Sequence, residues 1–279
     1  MKLFDNTVIV TDLDGTLLTD SKRPGERNLA AIEYFKQNGG HFAIATGRVA
    51  ALAEDSIPEL PKLVNMLSVT SNGSLLYDFR TGEAPFVHTM DYELIKEIVD
   101  FVHAEFPSAG MRASTVEYAY VCTPEDKDNV RIKKDFESHP GVKTCVAELE
   151  RWREMTLLKV VTRLPEQELP SAVIALREHF KDRVEVAPSW STIIDIQPAG
   201  ISKGAIFSKY VKDTMGDGAR IYACGDYLND IELLSIADVA VCPSNAHDDV
   251  KRICELCLCS NNDGLIAELV DHIERELGK

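Results

Sequence analysis

The sequence predicts an α/β protein in which a parallel sheet, flanked by helices, is interrupted by a separate α+β insertion. Apolar runs alternate with helical stretches near both ends of the chain, and several runs end in polar residues, whereas residues 83–192 follow a different pattern. Strands that alternate with helices are typical of parallel sheets. With 279 residues and 45% hydrophobic content, the chain can bury two cores. We therefore expect two domains.

The first domain is predicted to comprise residues 1–82 and 193–279. An apolar run at residues 8–11 indicates its first strand, and an amphipathic helix is expected over residues 25–38, where Gly39-Gly40 ends it. Its other elements are expected as strands near 41–46, 67–70, 221–224 and 238–241, and as helices after Arg48, over 202–215 and 229–237, and near 263–277.

The second domain is predicted over residues 83–192. Its expected elements are helices near 91–106, 125–138 and 166–180, and strands at 109–122, 143–148, 157–163 and 184–187. The chain is expected to cross between the domains at Thr81-Gly82-Glu83 and around Pro188-Ser189, where hinges would allow the insertion to move. No residue of the insertion is assigned to a ligand.

Two carboxylates follow the first apolar run. Asp12 and Asp14 lie two residues apart in the sequence Asp12-Leu13-Asp14-Gly15-Thr16. Unpaired charges at the end of a buried strand are costly unless a cation compensates them, which favours a functional interpretation. A simple Asp-Gly turn explains these residues equally well when they are considered alone.

Three further segments place reactive groups at the ends of apolar runs. The first ends in Thr46-Gly47-Arg48, the second holds Lys203 behind a capping Ser202, and the third is Gly225-Asp226-Tyr227-Leu228-Asn229-Asp230. Ligands of open α/β sheets bind beyond the carboxyl ends of the strands. The segments therefore predict one composite site.

These segments together resemble the four motifs of the haloacid dehalogenase superfamily, within it the Cof-like phosphatases that carry an inserted cap of type IIB. The resemblance covers essentially the whole chain and extends to Ser71-Asn72-Gly73. It implies a Rossmann-like parallel core as the catalytic domain and an α+β cap as the substrate-specificity domain. Cys242-Pro243-Ser244-Asn245-Ala246 departs from the sequence that many relatives have there.

The resemblance implies a role for each matching residue. Asp12 is expected to attack the phosphoryl group as a nucleophile and Asp14 to act as general acid and base, while Lys203 neutralises phosphate and holds Asp12. The residues expected to bind phosphate or substrate are Thr46, Gly47, Arg48, Asn72 and Asn229. The sequence leaves open whether Arg48 binds the phosphate or the organic part.

A magnesium site is expected beside the nucleophile. Asp12, Asp226, Asp230 and, by analogy with the family, the main-chain carbonyl of Asp14 would supply oxygen ligands. Hard oxygen ligands select Mg²⁺ as the cofactor, with Ca²⁺ as an expected inhibitor.

Charge and composition limit the partners. The chain has 30 basic and 45 acidic residues, a formal net charge of −15, which disfavours nucleic acid and anionic membranes. The N-terminal residues give no secretory or membrane signal, and the seven cysteines show no disulfide spacing, so a cytoplasmic monomer or weak dimer is expected. Cys254-x-x-Cys257-x-Cys259 is interpreted as part of a buried element rather than as a metal site.

The predicted function is Mg²⁺-dependent hydrolysis of phosphate monoesters of small metabolites, such as sugar phosphates, through an aspartyl-phosphate. Two alternatives stay open: a phosphomutase of the same fold, and a non-catalytic sensor of phosphorylated ligands. The presence of all the motif acids and of Lys203 favours catalysis over sensing.

Overall fold

The computed structural model of the protein describes residues 2–278. Its strands are β1 (Thr7–Thr11), β2 (His41–Ile44), β3 (Ser68–Thr70), β4 (Leu75–Asp78), β5 (Glu83–Val87), β6 (Gly110–Thr115), β7 (Tyr120–Cys122), β8 (Thr144–Val146), β9 (Leu157–Arg163), β10 (Val184–Trp190), β11 (Ile193–Pro198), β12 (Arg220–Cys224), β13 (Val239–Pro243) and β14 (Leu256–Leu258). Its helices are α1 (Glu26–Gln37), α2 (Ala50–Ser56), α3 (Leu60–Leu63), α4 (Tyr92–Glu105), α5 (Pro124–Lys127), α6 (Val130–Ser138), α7 (Leu169–Phe180), α8 (Lys203–Met215), α9 (Ile231–Ser235), α10 (Asp248–Ile253) and α11 (Leu265–Leu277).

One sheet is entirely parallel and has the strand order β14-β13-β12-β1-β2. All five residues of β1 are buried, as expected for a β-branched strand covered on both faces. Thr11 of β1 pairs with Cys224 of β12, so the carboxyl ends of these two strands lie at the same edge. The predicted parallel core is confirmed.

Helices α1 and α11 pack against each other near the parallel sheet. The Asn28 side-chain oxygen accepts hydrogen bonds from the main-chain N–H groups of Ile266 and Ala267, at 3.0 and 3.2 Å. The residue before α11 is Gly264, with φ of +97°, and it provides no side-chain cap. A residue of α1 therefore caps α11, and this long-range contact joins the first and last helices.

A small three-stranded sheet with the order β3-β4-β5 lies in the same compact unit as the parallel sheet. Strands β3 and β4 are antiparallel, and Val69 of β3 forms a parallel bridge with Ala45, just beyond β2. The segment that follows β3 is thereby placed beside the end of β2.

The remaining strands form a six-stranded sheet with the order β10-β11-β9-β6-β7-β8. Its neighbours are antiparallel except for β7 and β8, which are parallel. Side chains alternate between the two faces of each strand. One face is apolar, and its residues Met111, Ala113, Val121, Val160 and Ile196 belong to the same buried core as residues of α4 and α7.

The opposite face of the six-stranded sheet carries charged residues that are nevertheless buried: Arg112, Lys159 and Asp195. Arg112 donates from Nε to the Asp135 carboxylate at 2.8 Å. Tyr120 lies on this face and packs with Val49 and other residues of a small apolar cluster.

The chain divides into two compact units. One contains the residues up to Thr46, Ser56–Phe86 and the residues from Ser202 onward; the other contains Gly47–Asp55 and Val87–Ile201. These ranges differ from the predicted domains in three places. Gly47–Asp55 packs beside Tyr120 and belongs to the second unit, whereas residues 83–86 belong to the first. Residues 193–201 belong to the second unit, because β11 pairs with β9 and β10. The assignment of a catalytic and a specificity role to the two domains stays a prediction.

Several local predictions need correction. A single helix over 125–138 is wrong, because Asn129 caps a new helix by accepting a hydrogen bond from the Arg131 N–H. The run at 109–122 is two strands, separated by a turn in which Thr115 Oγ1 accepts from the N–H groups of Glu117 and Tyr118. The elements that the sequence did not predict are β4, β5, β11, β14, α3 and α10.

Within residues 2–278, no helix combines the length and apolar character that a membrane span requires.

Candidate active site

Asp12 follows β1 directly and is held at the edge of the parallel sheet. Its main-chain N–H donates to the Cys224 carbonyl at 2.9 Å, continuing the pairing of β1 with β12. The chain then turns through Gly15, which has φ of +79° and is therefore suited to glycine. The predicted turn and the predicted site are thus compatible.

Gly15 also allows Asp226 to approach the turn. A Cβ atom on Gly15 would lie 2.4 Å from an Asp226 carboxylate oxygen. The neighbouring Thr16 donates from Oγ1 to Asp226 Oδ1 at 2.8 Å. This role of Thr16 was not predicted, although Thr16 belongs to the predicted motif that begins at Asp12.

Lys203 is the first residue of α8. Ser202 caps this helix by accepting a hydrogen bond from the Ala205 N–H, and Gly204 permits close packing because its Cβ would lie 2.4 Å from the Glu232 carbonyl. The fully buried Lys203 ammonium donates to Asp12 Oδ1 and to Asp230 Oδ1, each at 2.6 Å. The predicted contact between Lys203 and the nucleophile position is therefore present.

Asp226 and Asp230 lie on the turn that follows β12. The second oxygen of Asp230, Oδ2, accepts hydrogen bonds from the main-chain N–H groups of Asp226 and Tyr227, at 3.0 and 3.2 Å. Asp230 thus links Lys203 to the backbone that positions Asp226. Gly225 makes this turn possible, since a Cβ there would lie 2.5 Å from Asp230 Cβ.

The carboxylates of Asp12, Asp226 and Asp230 are only partly neutralised by the Lys203 ammonium. Burial, together with Asp230 and Asp226, raises the pKa of Asp12 despite the opposing effect of Lys203. Burial and then Asp230 raise the pKa of Asp226 to about 7. Burial lowers the pKa of Lys203, but the Asp12 and Asp230 carboxylates outweigh it, so the net shift is upward. The ammonium is accordingly charged.

The three buried carboxylates form a candidate divalent-metal site. Asp12, Asp226 and Asp230 each offer an oxygen, and these atoms all lie within 4.8 Å of one another. When all three carboxylates are ionised, the Lys203 ammonium leaves two negative charges uncompensated, which a divalent cation would neutralise. The donor set consists of oxygen alone and therefore fits a hard cation.

Thr46 and Asn72 meet at the ends of β2 and β3. The Asn72 N–H donates to the Thr46 carbonyl at 3.0 Å, and the Thr46 N–H donates to the Val69 carbonyl at 2.9 Å. Asn72 has φ of +55°, a left-handed conformation that asparagine tolerates better than most residues. The predicted phosphate-binding roles of Thr46 and Asn72 stay predictions.

Asp14 differs from the other acids because it is partly exposed. It forms an ion pair with Lys22, whose Nζ lies 3.1 Å from Asp14 Oδ1. On the other side of the turn, Asn245 donates from Nδ2 to the Gly15 carbonyl at 2.9 Å. Lys22 was not predicted to contact the site, and only its proximity in sequence could have indicated it.

Three further residues, Asn229, Gly47 and Arg48, were predicted to bind phosphate or substrate. Asn229 is half-buried in the 3-10 turn between Asp226 and Asp230. Gly47 and Arg48 belong to the unit that contains the six-stranded sheet, where Lys159 donates to the Gly47 carbonyl. The substrate-binding roles of Asn229, Gly47 and Arg48 also stay predictions.

The cysteine-rich segment is not the buried element expected from its sequence. Cys257 is exposed on β14, an edge strand, and Cys254 and Cys259 are half-buried. Among residues 2–278, the one cluster of potential metal ligands consists of Asp12, Asp226 and Asp230.

Known proteins resemble the chain over nearly its whole length. It is 26% identical over 270 residues to the 5-amino-6-(5-phospho-D-ribitylamino)uracil phosphatase YcsE of Bacillus subtilis, with 96% of each chain covered. It is 25% identical over 284 residues to the pyridoxal phosphate phosphatase YbhA of Escherichia coli, with 94% of this chain and 97% of YbhA covered.

The fold is similar to that of the subclass IIB sugar phosphatase BT4131. The TM-score is 0.78 at 18% identity, and the match covers 95% of this chain and 98% of the other. The predicted α/β core with an inserted α+β cap is therefore confirmed. A model of the family described as haloacid dehalogenase-like hydrolase matches residues 9–270, which confirms the predicted Cof-like resemblance. The chain thus belongs to the haloacid dehalogenase-like hydrolases and is a phosphoric monoester hydrolase, as its sequence predicts.

Proposed function

We propose that this protein hydrolyses phosphate monoesters of small metabolites, such as sugar phosphates, in a Mg²⁺-dependent reaction with an aspartyl-phosphate intermediate. The observation that carries the proposal is the buried Asp12 carboxylate, which Lys203 holds at 2.6 Å beside Asp226 and Asp230. A carboxylate fixed in this way is suited to attack phosphorus.

The chemistry divides between two carboxylates. An Asp12 oxygen forms a bond to phosphorus while the bond from phosphorus to the ester oxygen breaks, and Asp14 donates its proton to that oxygen. Water then attacks the aspartyl-phosphate, its proton passes to Asp14, and Asp12 is released. Support for this division comes from environment, since Asp12 is buried beside Lys203 whereas Asp14 is partly exposed.

Lys203 is well placed to hold Asp12 in position during both steps. Its ammonium is fixed from two sides by Asp12 and Asp230, so it needs little reorganisation when charge moves to the phosphoryl oxygens. A Mg²⁺ ion held by Asp12, Asp226, Asp230 and the Asp14 carbonyl would neutralise phosphoryl charge when bound.

Small phosphorylated metabolites are the proposed substrates. The relatives are named for phosphate esters of a ribitylamino-uracil and of pyridoxal, and the structural neighbour is named as a sugar phosphatase. The net charge of −15 is unfavourable for nucleic acid and for anionic membranes. A cytoplasmic location and a monomer or weak dimer stay predictions.

Phosphate release from a panel of monoesters, with Mg²⁺ or with a chelator, tests the proposal. We expect Mg²⁺-dependent release that Asp12→Asn reduces by about 10⁴-fold or more, in line with the loss of other nucleophiles. The control is Asp217→Asn, because Asp217 is 88% exposed and lies outside the site. Undiminished release by Asp12→Asn would refute the nucleophile assignment. Transfer to an added sugar in place of release to water would identify a phosphomutase.

A further inference from the structure

The charged face of the six-stranded sheet contains an ion pair with no role in the proposed chemistry. Lys159 of β9 and Asp195 of β11 lie on neighbouring antiparallel strands, and Lys159 Nζ is 2.5 Å from Asp195 Oδ1. Both side chains are only 5% exposed. Burial raises the pKa of Asp195, but Lys159, together with Ser189 and Arg112, outweighs this effect and the net shift is downward, so the pair is ionised.

Stability alone is a poor explanation for such a pair. The desolvation of two buried charges often outweighs their attraction, and apolar replacements of a whole pair are frequently neutral or stabilising. The apolar core of this unit lies on the other face of the sheet, where Val160 and Ile196 contribute to it. Any further contact of Lys159 or Asp195 is therefore evidence of what the pair does.

Lys159 also contacts a main-chain carbonyl. Lys159 Nζ donates to the Gly47 oxygen at 2.6 Å, so a single buried ammonium joins β11 to the peptide between Gly47 and Arg48. Hydrogen bonds from charged donors are about twice as strong as neutral ones. The contact fixes a peptide that a glycine would otherwise leave conformationally free.

The rest of the segment is anchored by apolar contacts. Val49 and Leu52 pack with Tyr120 and Val142. Arg48, between this apolar anchor and the Lys159 contact, lies close enough to His139 to act with burial in lowering its pKa. The backbone on the two sides of Arg48 is thus held by one polar contact, at Gly47, and by apolar contacts, at Val49 and Leu52.

We infer that Lys159, held by Asp195, is a positioning residue that fixes the Gly47 peptide and thereby orients Arg48 for binding of the phosphate ester. Neither Lys159 nor Asp195 needs to touch the substrate. The consequence for activity rests on the proposed function, whereas the anchoring of the segment does not.

Hydrogen exchange measures the anchoring without any substrate. In Lys159→Met, the amides of residues 48–55 are expected to exchange at least about tenfold faster, as for loss of one charged hydrogen bond. The matched control is Asp126→Asn, because Asp126 is an equally buried carboxylate of the same unit whose bonds go to His103, Met111 and Thr123. Equal exchange in Lys159→Met and in the control would overturn the inference.

A double-mutant cycle measures the effect on activity. Lys159→Met is expected to lower kcat/KM by about tenfold to a hundredfold, and to have little further effect when Arg48 is already replaced by Met. Asp126→Asn should leave kcat/KM within about twofold of the wild type. Full additivity of the Lys159 and Arg48 replacements, or unchanged kcat/KM in Lys159→Met, would show that the pair is only structural.

The double replacement Lys159→Met with Asp195→Leu covers the case in which Lys159→Met does not fold. It removes both charges, which apolar packing tolerates, and still removes the donor to Gly47. It should show the same faster exchange and the same loss of kcat/KM; normal values for both would overturn the inference. If the wild type hydrolyses no ester, the proposed function fails, while the exchange result still decides whether Lys159 anchors the segment.

Discussion

Lys203 contacts two of the three clustered carboxylates, the proposed nucleophile Asp12 and its neighbour Asp230, and its ammonium reduces their mutual repulsion. Such a residue is predictable from sequence, because a lysine at the start of a helix and acids at strand ends belong to short local motifs. Lys22 and Lys159 were not predicted. Their partners, Asp14 and the Gly47 carbonyl, depend on a tight turn and on the packing of a distant strand.

Replacement of Lys203 by Met is expected to destabilise the protein by about 3–5 kcal/mol, because Asp12 and Asp230 would remain buried without their cation. Urea denaturation in the presence of a chelator measures this change. The control is Lys209→Met on the same helix, where the side chain is 75% exposed and a change within about 0.5 kcal/mol is expected. Similar free energies of unfolding for the two variants would contradict the stabilising role of Lys203.

At the scale of elements, long periodic segments were predictable and short ones were not. Helices α1, α4 and α8 lie close to their expected ranges, because each has a long amphipathic pattern or a clear cap. Strands such as β14 have only three residues, too few for a periodic pattern. The break between α5 and α6 depends on a single capping residue, Asn129, within a helix-like sequence.

The close approach of α8 to α9 depends on Gly204. An alanine Cβ there would lie 2.4 Å from the Glu232 carbonyl, a backbone atom that cannot move without moving α9. Gly204→Ala is therefore expected to cost about 1–3 kcal/mol of stability, even though alanine favours helices. Displacement of the adjacent Lys203 should also lower kcat/KM by about tenfold or more.

Thermal unfolding and steady-state kinetics of Gly204→Ala test this expectation. Gly218→Ala is the matched control, since no atom lies within 4 Å of the position that its Cβ would occupy. A normal melting temperature together with normal kcat/KM for Gly204→Ala would mean that α8 and α9 can separate without consequence.

The contact between α4 and α5 should make stability depend on pH. A hydrogen bond from His103 Nε2 to Asp126 Oδ1, at 3.1 Å, raises the pKa of His103 despite partial burial. A group with a raised pKa in the folded state stabilises fully below its unfolded pKa of about 6.5, and this stabilisation is lost as the pH rises through the folded pKa.

The melting temperatures of the wild type and His103→Gln, measured between about pH 5.5 and 8.5, test this coupling. The difference should be largest at the acidic end and should shrink as the pH rises above the raised pKa. A difference that is constant with pH would show that His103 contributes only neutral packing or hydrogen bonding.

At the scale of the whole molecule, the sequence predicted two folding units and the order of their segments in the chain. The limits of the units depend on strand pairing that a single sequence does not reveal. β11 continues the six-stranded sheet because Asp195 and Ile196 pair with Val161 and Val160 of β9. Likewise, the sequence alone assigns Val49 and Leu52 to the domain of the parallel sheet, whereas in the structure they pack with Tyr120.

The two units, each with its own core, should respond differently to Mg²⁺. The aspartate cluster lies entirely in the unit of the parallel sheet, so a cation bound there stabilises that unit directly. At a Mg²⁺ concentration 100 times the dissociation constant, binding to the folded state alone adds about 2.7 kcal/mol. Differential scanning calorimetry should therefore show a higher unfolding temperature with Mg²⁺ than with a chelator. Where two unfolding transitions are resolved, the shift should be confined to one of them.

The variant Asp226→Asn tests the position of the cation. It removes a charged ligand without removing Lys203 from Asp12, so its unfolding temperature should respond much less to Mg²⁺. An equal shift in the wild type and Asp226→Asn would place the cation elsewhere, since a site built on Asp226 cannot lose that ligand and retain its full affinity.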